Sequence, residues 1–113
     1  MKKNKEKKQK VRDLLLEKND LDELTPKILQ LKESELDDNH LKLLNRQHEL
    51  NGFFELCYSK LSQDEQNIIR LYCIDGYADF EISIELGYSE RKIWSMRQTA
   101  FSKLIEMIEL FFN

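Results

Sequence analysis

Residues 76–98 read GYADFEISIELGYSERKIWSMRQ and carry the strongest structural pattern in the chain. Two short helices that pack at a steep angle need apolar residues where they touch and a small residue at the turn between them. Ile82 and Leu86 stand four residues apart, as on one face of a helix, and a glycine follows directly. The pattern predicts a helix-turn-helix whose inward residues are Ile82, Leu86, Gly87, Tyr88, Ile93 and Met96.

The second helix of this motif has a capping residue and a polar outer face. Ser89 precedes it as an N-cap. Within residues 89–103, four basic residues stand against one acidic residue. Arginine, glutamine and serine are side chains that contact base edges, and lysine is typical of phosphate contacts. We therefore expect DNA binding by Ser89, Glu90, Arg91, Lys92, Trp94, Ser95, Arg97, Gln98 and Lys103.

The expected roles differ along this surface. Base edges are assigned to Arg91, Ser95 and Gln98. Phosphates are assigned to Lys92, Arg97 and Lys103. Trp94 has two interpretations, since an indole either contacts a base or phosphate or forms a partly buried anchor of the helix.

The run from Gly76 to Ser89 resembles the helix-turn-helix of region four in bacterial sigma factors, whose pattern is glycine, a capping residue, then Glu-Ile-Ala-x-x-Leu-Gly-x-Ser. Residues 86–92, with Ala100-Phe101 after them and Leu61-Ser62-x-x-Glu65 before them, are similar to the ArpU and RinA type regulators of Gram-positive phages. The resemblance spans residues 60–105 and implies an activator of late phage genes that acts with host RNA polymerase.

The sequence departs from that pattern at two positions. Ala78 stands where the relatives have a capping Ser or Thr, so we expect Asp79 to cap the first helix. Ser83 replaces an alanine, which is a change between small residues.

Apolar residues continue in two stripes from Met96 to Phe112. They predict an extended recognition helix that ends near Phe112. Its last turns pack against the N-terminal helices or against a second subunit. Because DNA-binding dimers read two half-sites, this C-terminal helix is the candidate for a homodimer contact.

Towards the N-terminus, Ser62 and Glu65 have the spacing of a capping box. They predict a helix that ends at Asp75-Gly76. The dense apolar run from Phe53 to Leu61 predicts a buried helix before it.

The first half of the chain predicts further helices. Val11 to Lys18 forms a short amphipathic helix that ends near Asn19-Asp20, and Thr25-Pro26 has the pattern of an N-cap followed by a first helical residue. The apolar residues that follow end before Gly52. One long helix and two helices with a break near residues 37–39 both fit this stretch.

Residues 1–12 hold seven basic residues and one acidic residue, so the net charge of −3 leaves −9 for the rest of the chain. With no aromatic residue, this segment is expected to be a disordered arm that binds phosphate or anionic lipid, or else a solubilising tail. The expected organisation is a basic arm at 1–12, an N-terminal helical region at 13–60 and a helix-turn-helix domain at 61–113. The fold class is all-α.

Composition excludes several classes of protein. At 113 residues the chain is too short for a walled catalytic cavity, and it carries no triad, phosphate loop or paired carboxylates, so we expect no enzyme. Cys57 and Cys73 are expected in the core, and with His40 and His48 they fit no zinc spacing, so we expect neither metal nor cofactor. No apolar run could span a membrane, so a cytoplasmic, nucleoid-associated protein of a bacterial host is expected.

A second function stays open at this point. A helical interaction module would bind RNA polymerase or a sigma factor without reading DNA. The acidic surface of residues 13–88 favours it, because that surface suits a basic partner.

Overall fold

The computed structural model describes residues 2–112, with side chains from Lys5 onward. Within that range the chain is all helical and contains no strand, as the patterns predict. Its elements are α1 (Lys2–Leu29), a 3-10 turn (Glu33–Glu35), α2 (Asp38–Tyr58), α3 (Gln63–Cys73), α4 (Asp79–Leu86) and α5 (Glu90–Phe112).

The first helix differs from the expectation of a disordered arm at residues 1–12. Met1 lies outside the described residues, but α1 runs unbroken from Lys2 to Leu29 and also passes the helix end expected near Asn19-Asp20. Val11 is fully buried in the main core, which anchors the basic segment to the body. Lys7 Nζ lies 2.5 Å from Glu109 Oε1 of α5. The composition of this basic segment predicts disorder, but its tertiary contacts stabilise it as a helix.

Thr25 and Pro26 lie inside α1 and do not start a helix, contrary to the prediction. The Thr25 hydroxyl donates to the Leu21 carbonyl at 2.7 Å, one turn back along the same helix. Leu21 and Ile28, on either side of the proline, are both buried. Their burial stabilises the helix across a residue that lacks an amide hydrogen.

The open question of one helix or two is answered by two helices, separated by residues 30–37. Asp37 caps α2: its Oδ1 accepts from the His40 amide at 2.9 Å, and its own amide donates to His40 Nδ1 at 3.1 Å. The helix then continues through Gly52 to Tyr58, so the predicted end before Gly52 is wrong. The reason is a single buried face, formed by Leu50, Phe53, Phe54 and Cys57.

The larger core cluster joins α1, α2, α3 and α5. Fully buried Phe54 and Phe101 are its largest members. The last turns of α5 pack against the N-terminal helices, one of the two expected arrangements: Met107 and Ile108 are buried, and the Phe112 ring lies 4.8 Å from the Phe53 ring. The second half of α5 therefore belongs to the same core as the first 60 residues.

A smaller cluster joins α3, α4 and the start of α5 through three fully buried isoleucines, Ile68, Ile82 and Ile93. The predicted capping box starts α3: Ser62 Oγ accepts from the Glu65 amide at 3.1 Å, and Glu65 Oε1 accepts from the Ser62 amide at 2.9 Å. This cluster positions α4 and the first turns of α5 at one end of the molecule.

Candidate nucleic-acid interface

The turn between α4 and α5 is built as the sequence predicts. Gly87 has a φ of 76°, a left-handed conformation that favours glycine, and its amide donates to the Ser83 carbonyl at 2.9 Å. Ser89 caps α5, because its Oγ accepts from the Lys92 amide at 3.1 Å. Four of the residues predicted to lie inward do so: Ile82 and Ile93 are fully buried, with Leu86 and Met96 packed beside them.

The first turn of α4 contradicts the expected cap. Ala78 occupies the N-cap position, and its amide donates to Glu81 Oε1 at 3.0 Å. Asp79 does not cap the helix. Its two carboxylate oxygens instead accept from Nε and Nη2 of Arg97, both at 2.8 Å.

Arg97 is therefore not on the expected phosphate-contacting surface. Its side chain is 11% exposed, and the guanidinium carbon lies 4.5 Å from the centre of the Tyr72 ring. The hydrogen bonds that Arg97 donates to Asp79 raise the pKa of Arg97. A two-pronged arginine–carboxylate pair fixes geometry as well as charge, so Arg97 ties α5 to the start of α4.

Tyr88, expected to point into the core, lies at the surface and is 37% exposed. Its hydroxyl donates to Asp64 Oδ2 near the start of α3, and this hydrogen bond raises the pKa of Tyr88. The turn is thus attached to α3 by a polar contact.

The exposed surface of the first turns of α5, called here the α5 outer face, consists of Ser89, Glu90, Arg91, Lys92, Trp94 and Ser95. Trp94 is 52% exposed, so about half of it is covered and both interpretations of this residue remain open. An open groove runs between Asp79, Glu90, Arg91 and Trp94. Within the described part of the chain, neither Arg91 nor Lys92 forms an ion pair.

The last two predicted residues already have partners in the chain. Gln98 Oε1 accepts from Lys8 Nζ of α1 at 2.8 Å. Lys103 Nζ donates to the two carboxylate oxygens of Glu65 at 3.0 and 3.3 Å, so its charge is compensated within the chain. Burial raises the pKa of Glu65, but the bonds from Ser62 and Lys103 outweigh this effect and hold that pKa below its usual value.

The structure places basic residues of segment 1–12 beside this surface, on a helix instead of a disordered arm. A groove beside α5, called here the α1 groove, is lined by Lys5, Lys8, Gln9, Arg12, Tyr72 and Phe101. Its four α1 residues fall on one helical face at steps of three, one and three residues. That spacing was visible in the sequence, but it carries information only once the segment is a helix.

The outer surface of α4 has a different chemistry from the α5 outer face. Phe80 is 60% exposed and Ile84 is 68% exposed, four residues apart on one side of the helix. The neighbouring carboxylates Glu81 and Glu85 are exposed as well. This surface combines apolar and acidic groups. The acidic groups repel phosphate.

Both cysteines are core residues, as predicted. Burial raises the pKa of the Cys57 thiol to about 12 and that of Cys73 to about 11, so both stay protonated at neutral pH. His48 is exposed. Among the residues described, no group of three His, Cys, Asp or Glu is placed to hold a metal ion. Residues 2–112 contain no helix that is long and apolar enough to cross a bilayer.

Comparisons of the chain with protein-family models, with curated proteins and with solved structures find no match. The resemblance to the ArpU and RinA type regulators thus rests on the quoted residues.

Proposed function

We propose that this protein is a sequence-specific, DNA-binding transcriptional regulator, with α4, the Gly87 turn and α5 as its helix-turn-helix. The observation that carries the proposal is the asymmetry of the first turns of α5. One side is held by Ile93 and by the Arg97–Asp79 pair. The other side presents Arg91, Lys92 and Ser95 to solvent. The DNA major groove admits a rigid helix whose exposed polar side chains are free to contact base edges.

Four exposed side chains of the α5 outer face have a specific task in this proposal. Arg91 donates two hydrogen bonds to a guanine edge, and Ser95 contacts an adjacent base. Lys92 contacts a phosphate. Trp94 packs against the edge of the groove, where its exposed ring loses water on binding. Arg97 and Lys103 hold the helix in place and contact no DNA.

The biological setting follows from the resemblance. The proposal makes the protein an activator of phage or prophage late genes that acts with host RNA polymerase at the bacterial nucleoid. It assigns the chain no catalytic activity.

A homodimer is part of the proposal, because two copies read two half-sites. Support comes from the end of α5, where Leu110 is 71% exposed and Phe111 is 57% exposed. Phe111 also lines an open groove with Gly52 and Leu56 of α2. Sedimentation equilibrium of wild type and Phe111→Ser tests it: a dimer that the substitution dissociates supports the proposal, and a wild-type monomer at high concentration contradicts it.

In-vitro selection from a random duplex library tests the main proposal, with wild type, Arg91→Ala and Lys92→Ala run in parallel at two salt concentrations. We expect an enriched motif. Arg91→Ala should lose about 1–3 kcal/mol of discrimination at one base pair, because a bidentate contact reads one base. Lys92→Ala should weaken all sequences alike and lower the salt dependence.

Two results of this selection would contradict the proposal. Absence of any enriched motif for the wild type would exclude specific readout. Equal, sequence-independent losses for both variants would remove Arg91 from the base contacts.

A protein-interaction module is the second candidate function, and the α4 surface favours it. The Phe80–Ile84 pair, flanked by Glu81 and Glu85, suits a basic, apolar surface of RNA polymerase or a sigma factor. Pull-down of purified polymerase holoenzyme by wild type and by Phe80→Ser tests it. Binding that Phe80→Ser abolishes, by a protein that enriches no DNA motif, would favour this function over the first.

A further inference from the structure

We propose that the start of α1 is a fixed phosphate-binding element of the DNA interface, in which Lys5, Lys8 and Arg12 contact backbone phosphates beside α5. The inference rests on the proposed function, since it names the phosphate contacts that the DNA complex uses. It replaces a mobile basic arm by a rigid surface.

The α1 groove has the shape and chemistry of a phosphate site. Its cations project from one face of α1, and its floor is formed by Tyr72 and Phe101, whose rings pack edge to face at 5.8 Å. The Arg12 guanidinium carbon lies 5.1 Å from the Tyr72 ring centre, and its Nη2 donates to the Tyr72 carbonyl at 3.4 Å. The Phe101 ring lies under Lys8 Nζ at 5.9 Å, so the two rings order Lys8 and Arg12 and exclude water from one side of each.

These three cations are also uncompensated. Among the residues whose side chains are described, no carboxylate forms an ion pair with Lys5, Lys8 or Arg12. By contrast, the adjacent Lys7 pairs with Glu109. In a chain of net charge −3, three unpaired cations in one groove form a local positive patch that attracts an anionic ligand.

The α1 groove is continuous with the α5 outer face. Lys8 Nζ donates to Gln98 Oε1 at 2.8 Å, and Gln98 follows Trp94 and Ser95 by about one turn of α5. From Lys5 to Arg12 the helix rises about 10 Å. That length matches the axial span of about three phosphates on one DNA strand. A strand that leaves the major groove at Gln98 therefore meets these cations next.

The later basic residues of α5 also favour phosphate contacts by α1. Arg97 and Lys103, the basic residues of α5 that follow Lys92, are bonded to Asp79 and Glu65. The cations of α1 lie in their place. Because α1 is anchored by buried Val11 and Leu15, it contacts the same phosphates in every complex.

The salt dependence of DNA binding tests the inference, measured by fluorescence anisotropy with the selected duplex, or with a random-sequence duplex if none is selected. The variants are Lys5→Gln, Lys8→Gln and their combination. Lys7→Gln is the matched control, because it removes the same charge one residue away but on the side paired with Glu109. Thermal denaturation of each variant establishes that the fold is intact.

We expect the slope of log K against log salt to fall in magnitude by about 0.9 for each groove lysine removed. The fall for Lys7→Gln should be clearly smaller. Ethylation interference should identify one to three phosphates, at a constant distance from the motif, that the wild type needs and the double variant does not.

Every outcome decides between the proposals. Slopes that match the Lys7→Gln control, with the motif still selected, overturn the α1 element and leave the proposed function standing. A reduced slope without any constant phosphate position overturns the rigid element, because a mobile tail would behave in that way. Loss of sequence-independent binding in the groove variants, from a wild type that selects no motif, supports the groove and contradicts the regulator.

Discussion

The first turn of α5 and its later turns use the same kinds of side chain for different purposes. In the first turns Arg91 and Lys92 are exposed and unpaired within the described residues, whereas further along Arg97 and Lys103 are bonded to Asp79 and Glu65. The difference comes from what lies opposite each residue. Neighbouring helices supply a carboxylate to the second pair only, so a basic residue of α5 is structural wherever a neighbour compensates its charge.

The largest expected difference in stability is between variants of Arg97 and Arg91. Arg97→Met leaves the Asp79 carboxylate without its partner, and we expect the free energy of unfolding to fall by about 2–4 kcal/mol. Arg91→Met should change it by less than about 0.5 kcal/mol, as is usual for an exposed position. Urea denaturation measures both. Equal losses of stability would show that the two arginines are not divided in this way.

A second variant sharpens the first prediction. In the double variant Asp79→Asn/Arg97→Met, no buried charge is left alone, so part of the lost stability should return. No recovery would assign the loss to the packing of Arg97 on Tyr72 instead of to its charge.

Two glycines offer a comparison of intermediate size between the α4–α5 turn and α2. Gly87 has a left-handed backbone, so Gly87→Ala should destabilise the protein by about 1–2 kcal/mol. Gly52 lies in the helical interior of α2 with no atom within 4 Å of an added methyl group, so Gly52→Ala should stabilise it by about 0.5–1 kcal/mol. Thermal denaturation gives the sign of each change, and effects of the same sign would contradict the assigned backbone roles.

The smallest expected effect concerns pH. Because the folded-state pKa of Glu65 lies below its ordinary value of 4.5, the unfolded chain binds this proton more readily. The resulting stability is complete above that pH and is lost as the pH falls through the lower folded value. We expect Glu65→Gln to reduce the acid sensitivity of the unfolding free energy between about pH 5 and 3. An unchanged pH profile would argue against the bonds that the Glu65 carboxylate accepts from Ser62 and Lys103.

The caps and the turn, which depend on contacts within a few residues, were predicted correctly. Ser62 with Glu65, Ser89 and Gly87 each form contacts with backbone groups at most four residues away, and all three are used as the pattern indicates. The same local logic failed at Thr25-Pro26 and at Gly52. There the burial of a continuous apolar face outweighs the small local preference for ending a helix.

In the expected site too, local features were predicted and long-range contacts were not. The α5 outer face and the inward isoleucines followed from helical periodicity, because a single helix sets which residues share a side. The tasks of Arg97, Lys103 and Tyr88 did not follow from it. Their partners Asp79, Glu65 and Asp64 are 18, 38 and 24 residues away, and no spacing within α5 indicates them.

The sequence by itself determined the helical class, the caps and the turn of the α4–α5 region, and the inward and outward sides of α5, since these depend on interactions one or two turns long. Only the tertiary structure decided that the lysine-rich start of the chain is a docked helix, that α2 passes through Gly52, and which cations of α5 stay free. The physical reason is that charge compensation and burial depend on which helices become neighbours, and that is a property of the assembled core.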